Sequence, residues 1–261
     1  MSSTAPTTRP VVLITGAARR IGRAIALDLA AAGWSVALHC HRSFTEAEAT
    51  ANELRALGAL AEVFRADLAD FDDCEALVPA VLLRCGRLDA VVNNASLFEY
   101  DDVAGFSAAA MERHWRANAA PAVVLARALH GHLLQRGATG CVINLLDQKL
   151  ANPNPDYFSY TLSKAALEAA GTMLAQALAP VLRVCAVSPG VTLLSGEMSA
   201  DEFAAAHRLT PLARSSTPHD IARAVRFLLD SPAITGITLL VDGGQHLQRQ
   251  PRDVMFMARE A

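Results

Sequence analysis

Val11-Val12-Leu13-Ile14-Thr15-Gly16-Ala17-Ala18-Arg19-Arg20-Ile21-Gly22 decides the fold class of this chain. Residues 11–15 form an unbroken run of strand length, rich in β-branched and apolar side chains, and such runs belong to strands buried on both faces. Gly16 follows at once, where a tight turn needs a residue without a Cβ, and a helical pattern starts at Arg20. Gly22 lies in the first turn of that helix, where a missing side chain lets backbone approach a pyrophosphate held by free helix N–H groups. The strict G-x-G-x-x-G spacing is absent, because Arg20 takes the usual middle position. Gly16, Arg20, Ile21 and Gly22 are therefore expected to surround a phosphate.

Outward from this stretch the same alternation repeats. Further apolar runs occupy 35–39, 61–66, 88–93, 140–146, 182–187 and 237–241, and helical patterns fill 20–32, 45–57, 71–85, 108–136, 158–179 and 218–230. The pattern predicts one doubly wound α/β domain over residues 10–248, a seven-stranded mostly parallel sheet with helices on both faces. Residues 1–9 are expected as a flexible N-terminus and 249–261 as a loose C-terminal tail. Residues 192–217 are the least regular stretch and read as a mobile lid.

With 261 residues, 52% of them hydrophobic, the chain can bury a large core in one unit. A net charge of −3 without a Lys/Arg run argues against nucleic acid or an anionic membrane as partner. No apolar run approaches the roughly 18 residues of a membrane span, and residues 1–10 lack the apolar stretch of a secretory signal. The five cysteines are scattered without a C-x-x-C pair, as reduced core residues of a cytoplasmic protein would be. The eight histidines form no metal pattern: His130 and His132 are two apart on a helical stretch and face different ways. No metal site is expected.

The end of the second strand bears on the nucleotide. Dinucleotide folds that bind NAD place a carboxylate there for the ribose 2′-hydroxyl, whereas this chain reads His39-Cys40-His41-Arg42-Ser43. His41, Arg42 and Ser43, with Arg20 nearby, suit a 2′-phosphate, so NADP(H) is favoured over NAD. Asp67 and Leu68 follow the third strand and could contact an adenine edge through side chain and backbone; Asp67 is equally suited to capping the next helix. Asn94, Ala95 and Ser96 end the fourth strand, where ligands bind in open parallel sheets.

Asp147 follows the fifth apolar run, and Tyr160 and Lys164 lie four residues apart on a helical stretch. That spacing puts a phenol and an ammonium on one helix face, and a nearby cation is expected to lower the Tyr160 pKa from about 10. A tyrosine that exchanges protons near neutral pH is an acid–base catalyst.

Taken together, Thr15-Gly16…Gly22, Asn93-Asn94-Ala95, Asn118, Tyr160-x-x-x-Lys164, Ser188-Pro189-Gly190 and Val241-Asp242-Gly243-Gly244 resemble the short-chain dehydrogenase/reductase family over about residues 10–248. Within it the chain is similar to pteridine reductases and bacterial dihydromonapterin reductases. The matching features are Gly16-Ala17-Ala18-Arg19-Arg20, His39-x-His41-Arg42-Ser43, Asn94-Ala95-Ser96-x-Phe98 and Asp147 thirteen residues before Tyr160. The wider family usually carries serine at that place. The resemblance implies a Rossmann-type domain, a cytoplasmic homotetramer and a small heteroaromatic substrate. It implies catalytic Asp147, Tyr160 and Lys164, with Asn118 supporting a proton-relay water. Cofactor contacts would come from Arg20, His41, Arg42, Ser43, Asp67, Asn94, Tyr160 and Lys164, joined by Pro189 and Gly190 after the sixth strand. Ser96 and Phe98, beside Asp147 and Tyr160, would hold a pterin. Arg249 would either reach a neighbouring subunit or lie in a free tail.

Reduction of a ketone builds negative charge on oxygen, which an ionised carboxylate repels by on the order of 4 kcal/mol at about 4 Å and an effective dielectric of 20. Hydride addition to C=N places the charge on nitrogen, which must take a proton that a carboxyl group can pass. The expectation is NADPH-dependent reduction of a C=N bond in a pterin. The alternatives are a carbonyl reductase with Asp147 protonated, and a non-catalytic NADP-binding sensor.

Overall fold

Successive side chains of β1 (Val11–Ile14) go to opposite sides of the sheet, Val12 and Ile14 into one apolar cluster, Val11 and Leu13 into another. All four are fully buried, which is why the run carries no polar alternation. The computed structural model describes residues 9–194 and 198–260; the expected flexible N-terminus lies almost wholly outside the described residues. Six more strands follow: β2 (Ser35–Cys40), β3 (Ala61–Arg65), β4 (Ala90–Asn93), β5 (Gly140–Leu145), β6 (Leu182–Pro189) and β7 (Thr238–Val241).

The sheet order is β3-β2-β1-β4-β5-β6-β7, and every neighbouring pair is parallel. The expected "mostly parallel" sheet is thus entirely parallel, because each connection is a crossover and none is a hairpin. The order reverses between β1 and β4, which opens a crevice at their carboxyl ends.

The helices are α1 (Arg20–Ala31), α2 (Phe44–Ala56), α3 (Phe71–Cys85), α4 (Ala108–Asn118), α5 (Ala120–Arg136), α6 (Phe158–Ala177), α7 (Ala200–Arg208), α8 (Pro218–Leu229) and α9 (Val254–Glu260). Ile25 and Leu29 of α1 and Val225 and Leu228 of α8 cover one face of the sheet. Val78 and Val81 of α3 and Leu125, Leu129 and Leu133 of α5 cover the other. Each such fully buried aliphatic side chain contributes roughly 1.5–3 kcal/mol. Asp70 caps α3 by accepting from the N–H groups of Asp72 and Asp73, so the capping role open to Asp67 falls to its neighbour. All five cysteines are free and buried. Among the described residues no helix is long and apolar enough to cross a membrane, and no cluster of His, Cys, Asp or Glu is arranged to hold a metal.

Three segments differ from expectation. The helix expected over 108–136 breaks at Ala119 into α4 and α5, with Pro121, which lacks an N–H, in the first turn of α5. The irregular 192–217 stretch contains α7, started by a capping box between Ser199 and Glu202. Its two flanks are tied by a 2.6 Å hydrogen bond between the hydroxyls of Thr192 and Ser216. The tail is not loose: α9 buries Val254 and Ala258 against Ala206 of α7. Its apolar face finds a partner only in the folded chain.

Candidate active site

Helix α6 leaves a cramped entry, with Tyr157 in the left-handed region (φ 53°) at its N-cap. One turn later Tyr160 faces the end of β5, where the phenol donates to Asp147 Oδ2 at 2.9 Å. Asp147 Oδ1 accepts from the Lys149 N–H at 2.9 Å, so the carboxyl is held from two sides. Lys164, one further turn along α6, donates from Nζ to the Leu145 carbonyl at 2.7 Å and lies 5.8 Å from the centre of the Tyr160 ring. The three expected catalytic residues are therefore brought together, lining a cleft of about 290 Å³.

Their electrostatics differ from the sequence expectation. Burial, and then the Asp147 charge, push the Tyr160 phenol well above its ordinary pKa, not below it. The Lys164 ammonium is spent on a backbone carbonyl and is itself brought down to about 8 by burial. Burial also raises Asp147; the hydrogen bonds from Lys149 and Tyr160 oppose this, and the charge of Asp253 adds to it. Phenol and carboxyl thus share a hydrogen bond in which both groups favour the protonated form.

Asn118 is buried and engaged within the protein. Its Nδ2 donates to Leu97 O and Ser163 Oγ, each at 2.9 Å, and its Oδ1 accepts from Leu97 N–H at 2.7 Å. The amide is consumed in tying the 96–97 loop to α6, and the Ser96 hydroxyl joins it at 3.3 Å. The loop so fixed presents Phe98, which stacks on Tyr157 (centroids 4.3 Å, 14° between planes) and meets Tyr160 edge-on at 4.7 Å. Phe98 stays 41% exposed, so it is a wall of the cleft rather than a core side chain.

The nucleotide turn fits a bound pyrophosphate. A Cβ on Gly22 would stand 2.3 Å from the Gly16 carbonyl oxygen, and Gly16 has φ +64° with Ala95 Cα 3.1 Å from the place of its Cβ. Helix α1 has neither a side-chain cap nor an acidic residue in its first turn, which leaves its N–H groups to an anion. Arg20 itself adopts φ 56°, the region that favours glycine, and reaches Leu194 O with its guanidinium at 2.8 Å. Asn94 Nδ2 donates to the Thr15 and Gly16 carbonyls at 2.9 and 3.1 Å, and the Ala95 N–H to Thr15 Oγ1, so β4 braces the turn. Ile21, Pro189 and Gly190 line the cleft beside it.

His39, near the end of β2, is 2% exposed and structural. The Gly16 N–H donates to its Nδ1 at 3.2 Å, so Nε2 carries the hydrogen and donates to Ala66 O at 3.1 Å. Burial holds its pKa down at about 4 and the ring neutral. His41, Arg42 and Ser43 gather at the solvent-facing end of β2, with His41 Nε2 3.8 Å from Asp67 Oδ2. Among the described residues no hydrogen bond engages the Arg42 guanidinium. Arg65 was not foreseen here; it ends β3 in register with Cys40 and donates to His41 O at 3.2 Å. Leu68 is buried under this edge.

Sequence reading also missed the far wall. Tyr157, Lys149, Met198, Asp253 and Met255 line the cleft with Asp147. Buried Asp156 organises them: its carboxylate takes Arg252 in a fork (2.8–3.1 Å) and the Asp253 N–H at 2.7 Å. Arg249, expected either to reach a neighbouring subunit or to lie in a free tail, is exposed. The Tyr157 hydroxyl meets Met255 Sδ at 3.5 Å. Only Tyr157, three residues before Tyr160, carried a local signal; the rest meet through long-range folding.

The family described as enoyl-(acyl carrier protein) reductase matches residues 16–246. The chain is 33% identical to pteridine reductase 1 of Leishmania tarentolae, covering 95% of this chain and 99% of that one. It is also 33% identical to the 3-oxoacyl-[acyl-carrier-protein] reductase FabG of Staphylococcus aureus, covering 90% and 97%. The solved structure of FolM alternative dihydrofolate reductase 1 from Brucella canis complexed with NADP is 41% identical, covers 92% of this chain and 96% of that one, and superposes with a TM-score of 0.86.

Proposed function

The chain belongs to the short-chain dehydrogenase/reductase family, oxidoreductases that use NAD(P)H, and on that premise we propose that it reduces a C=N bond of a dihydropterin-type substrate with NADPH. The observation that carries this reading is the Asp147 carboxyl, 2.9 Å from the Tyr160 hydroxyl and held toward its protonated form by burial. When bound, NADPH supplies the hydride. Phe98, backed by Tyr157, holds a flat ring in the cleft. Tyr160 and Asp147 hold the proton that the ring nitrogen takes up, and Lys164 keeps the end of β5 against α6 through Leu145 O. Relatives on both sides of the chemistry agree with the shared reductase core: the pteridine reductase and FolM for pterin-type substrates, FabG for a ketone.

The ketone reading has one observation in its favour, since a protonated Asp147 no longer repels a developing oxyanion. A substrate panel separates the two. With NADPH, dihydrobiopterin and dihydrofolate are expected to give kcat/KM at least about tenfold above 3-oxoacyl thioesters and simple ketones, a 1.4 kcal/mol difference. Equal or reversed ratios would transfer the assignment to carbonyl reduction.

The 2′-phosphate grip of Arg42 is tested by affinity alone. Arg42→Ala is expected to weaken NADPH binding roughly tenfold or more, the worth of one charge-assisted hydrogen bond, and to leave NADH binding unchanged. Quenching of nucleotide fluorescence on titration reads both constants; a uniform change for the two nucleotides would remove Arg42 from phosphate recognition.

A further inference from the structure

We propose that Lys149 and Asp253 form a positioning pair that governs whether Asp147 carries its proton. The Lys149 backbone N–H donates to Asp147 Oδ1, while its side chain turns into the protein, 4% exposed, with Nζ 2.5 Å from Asp156 O and 3.3 Å from Asp253 Oδ2. Asp253 comes from the far end of the chain and is fixed by its own N–H on the Asp156 carboxylate. Asp147, Lys149 and Asp253 line one cleft. A buried cation is therefore paired with the Asp253 carboxylate while the same residue's N–H holds the Asp147 carboxyl, in a wall of low dielectric where each charge acts on the others.

The signs are opposed. The charge of Asp253 raises the proton affinity of Asp147, and that of Lys149 lowers it, on top of the larger effect of burial. Among the described residues the other titratable or charged groups lining the cleft with Asp147 are Tyr157 at the start of α6, Tyr160 and Lys164 within it, and Arg20 at the α1 side. The pair touches neither the nucleotide turn nor the end of β2. The inference rests on reading Asp147 as the proton-handling group.

The experiment uses the full chain saturated with NADP and labelled with carboxyl-¹³C aspartate. The Asp147 resonance is assigned by its loss in Asp147→Asn. Asp253→Asn is expected to move the titration midpoint of Asp147 to lower pH by roughly one pH unit, and Lys149→Met to move it higher by a similar amount. The double variant is expected to return close to the starting midpoint. Lys149→Gln carries the same sign as Lys149→Met and keeps a donor toward Asp156 if the methionine variant does not fold. A purely structural role would lower activity with the midpoint fixed. Single variants that move the midpoint in the same direction, or not at all, overturn the proposal. The pH profile of kcat/KM for dihydrobiopterin is recorded in parallel. If the resonance moves as stated and the rate profile does not, the pair stands and the role assigned to Asp147 in turnover fails.

Discussion

Tyr160→Phe is expected to lower kcat for the proposed dihydropterin reduction by about 10²–10⁴-fold, the usual worth of a positioned proton donor, and to leave NADPH affinity unchanged. Phenylalanine keeps the ring that meets Phe98 edge-on and removes only the hydroxyl that reaches Asp147. The carboxyl then loses its donor on one side while the Lys149 N–H still holds the other. Geometry is conserved and proton delivery is lost, so the change falls on kcat with little change in KM. Single-turnover measurement of NADPH oxidation, with nucleotide binding followed separately, checks both halves. A fall of less than tenfold would mean that Asp147 delivers the proton without the phenol.

Asp147→Ser is expected to cost dihydropterin turnover about 10²–10³-fold in kcat/KM and to leave ketone turnover undiminished or raised. A serine hydroxyl suits an oxyanion but cannot feed a proton to a ring nitrogen at a useful rate. The pH profile carries the second half of the argument. Burial raises the pKa of Asp147, so its protonated form persists above the ordinary carboxylate range and is lost as pH climbs through that raised value. Wild-type pterin reduction is therefore expected to fall along that alkaline limb, and the limb is absent in the serine variant. Asp147→Asn, nearly the same shape without the exchangeable proton, separates shape from acidity. An unchanged pterin rate in both variants would take Asp147 out of the mechanism.

The central strands were legible because β1, β2 and β4 are apolar runs buried on both faces, half-buried β7 because it is a short apolar run before Asp242-Gly243-Gly244, and the nucleotide turn because Gly16 and Gly22 sit where a Cβ collides. Tyr160 and Lys164 were legible because helical spacing is local. What Lys164 does was not: its ammonium goes to the Leu145 carbonyl, nineteen residues away, and no helical rule encodes that. The break between α4 and α5 had a visible sign in Pro121, outweighed by the apolar periodicity around it. The Ser199–Glu202 capping box likewise announced α7 in a stretch read as irregular. Lys149 and Asp253 carried no sign, since their meaning arises only where the two ends of the cleft meet across 104 positions of sequence. Asn118 shows the converse, a residue whose family role was foreseen and whose amide is occupied by the loop it anchors.

The clamp of Asp156 on Arg252 spans 96 positions, and that span has a consequence for synthesis. A ribosome completes β1 through β4 and the nucleotide turn within the first hundred codons. The opposite wall of the cleft is still untranslated at that moment, and it is complete only once Lys149, Tyr157, Met198 and finally Arg252, Asp253 and Met255 have been added. The nucleotide turn is therefore in the nascent chain long before the cleft can close, which must wait until Arg252 and Asp253 have been made.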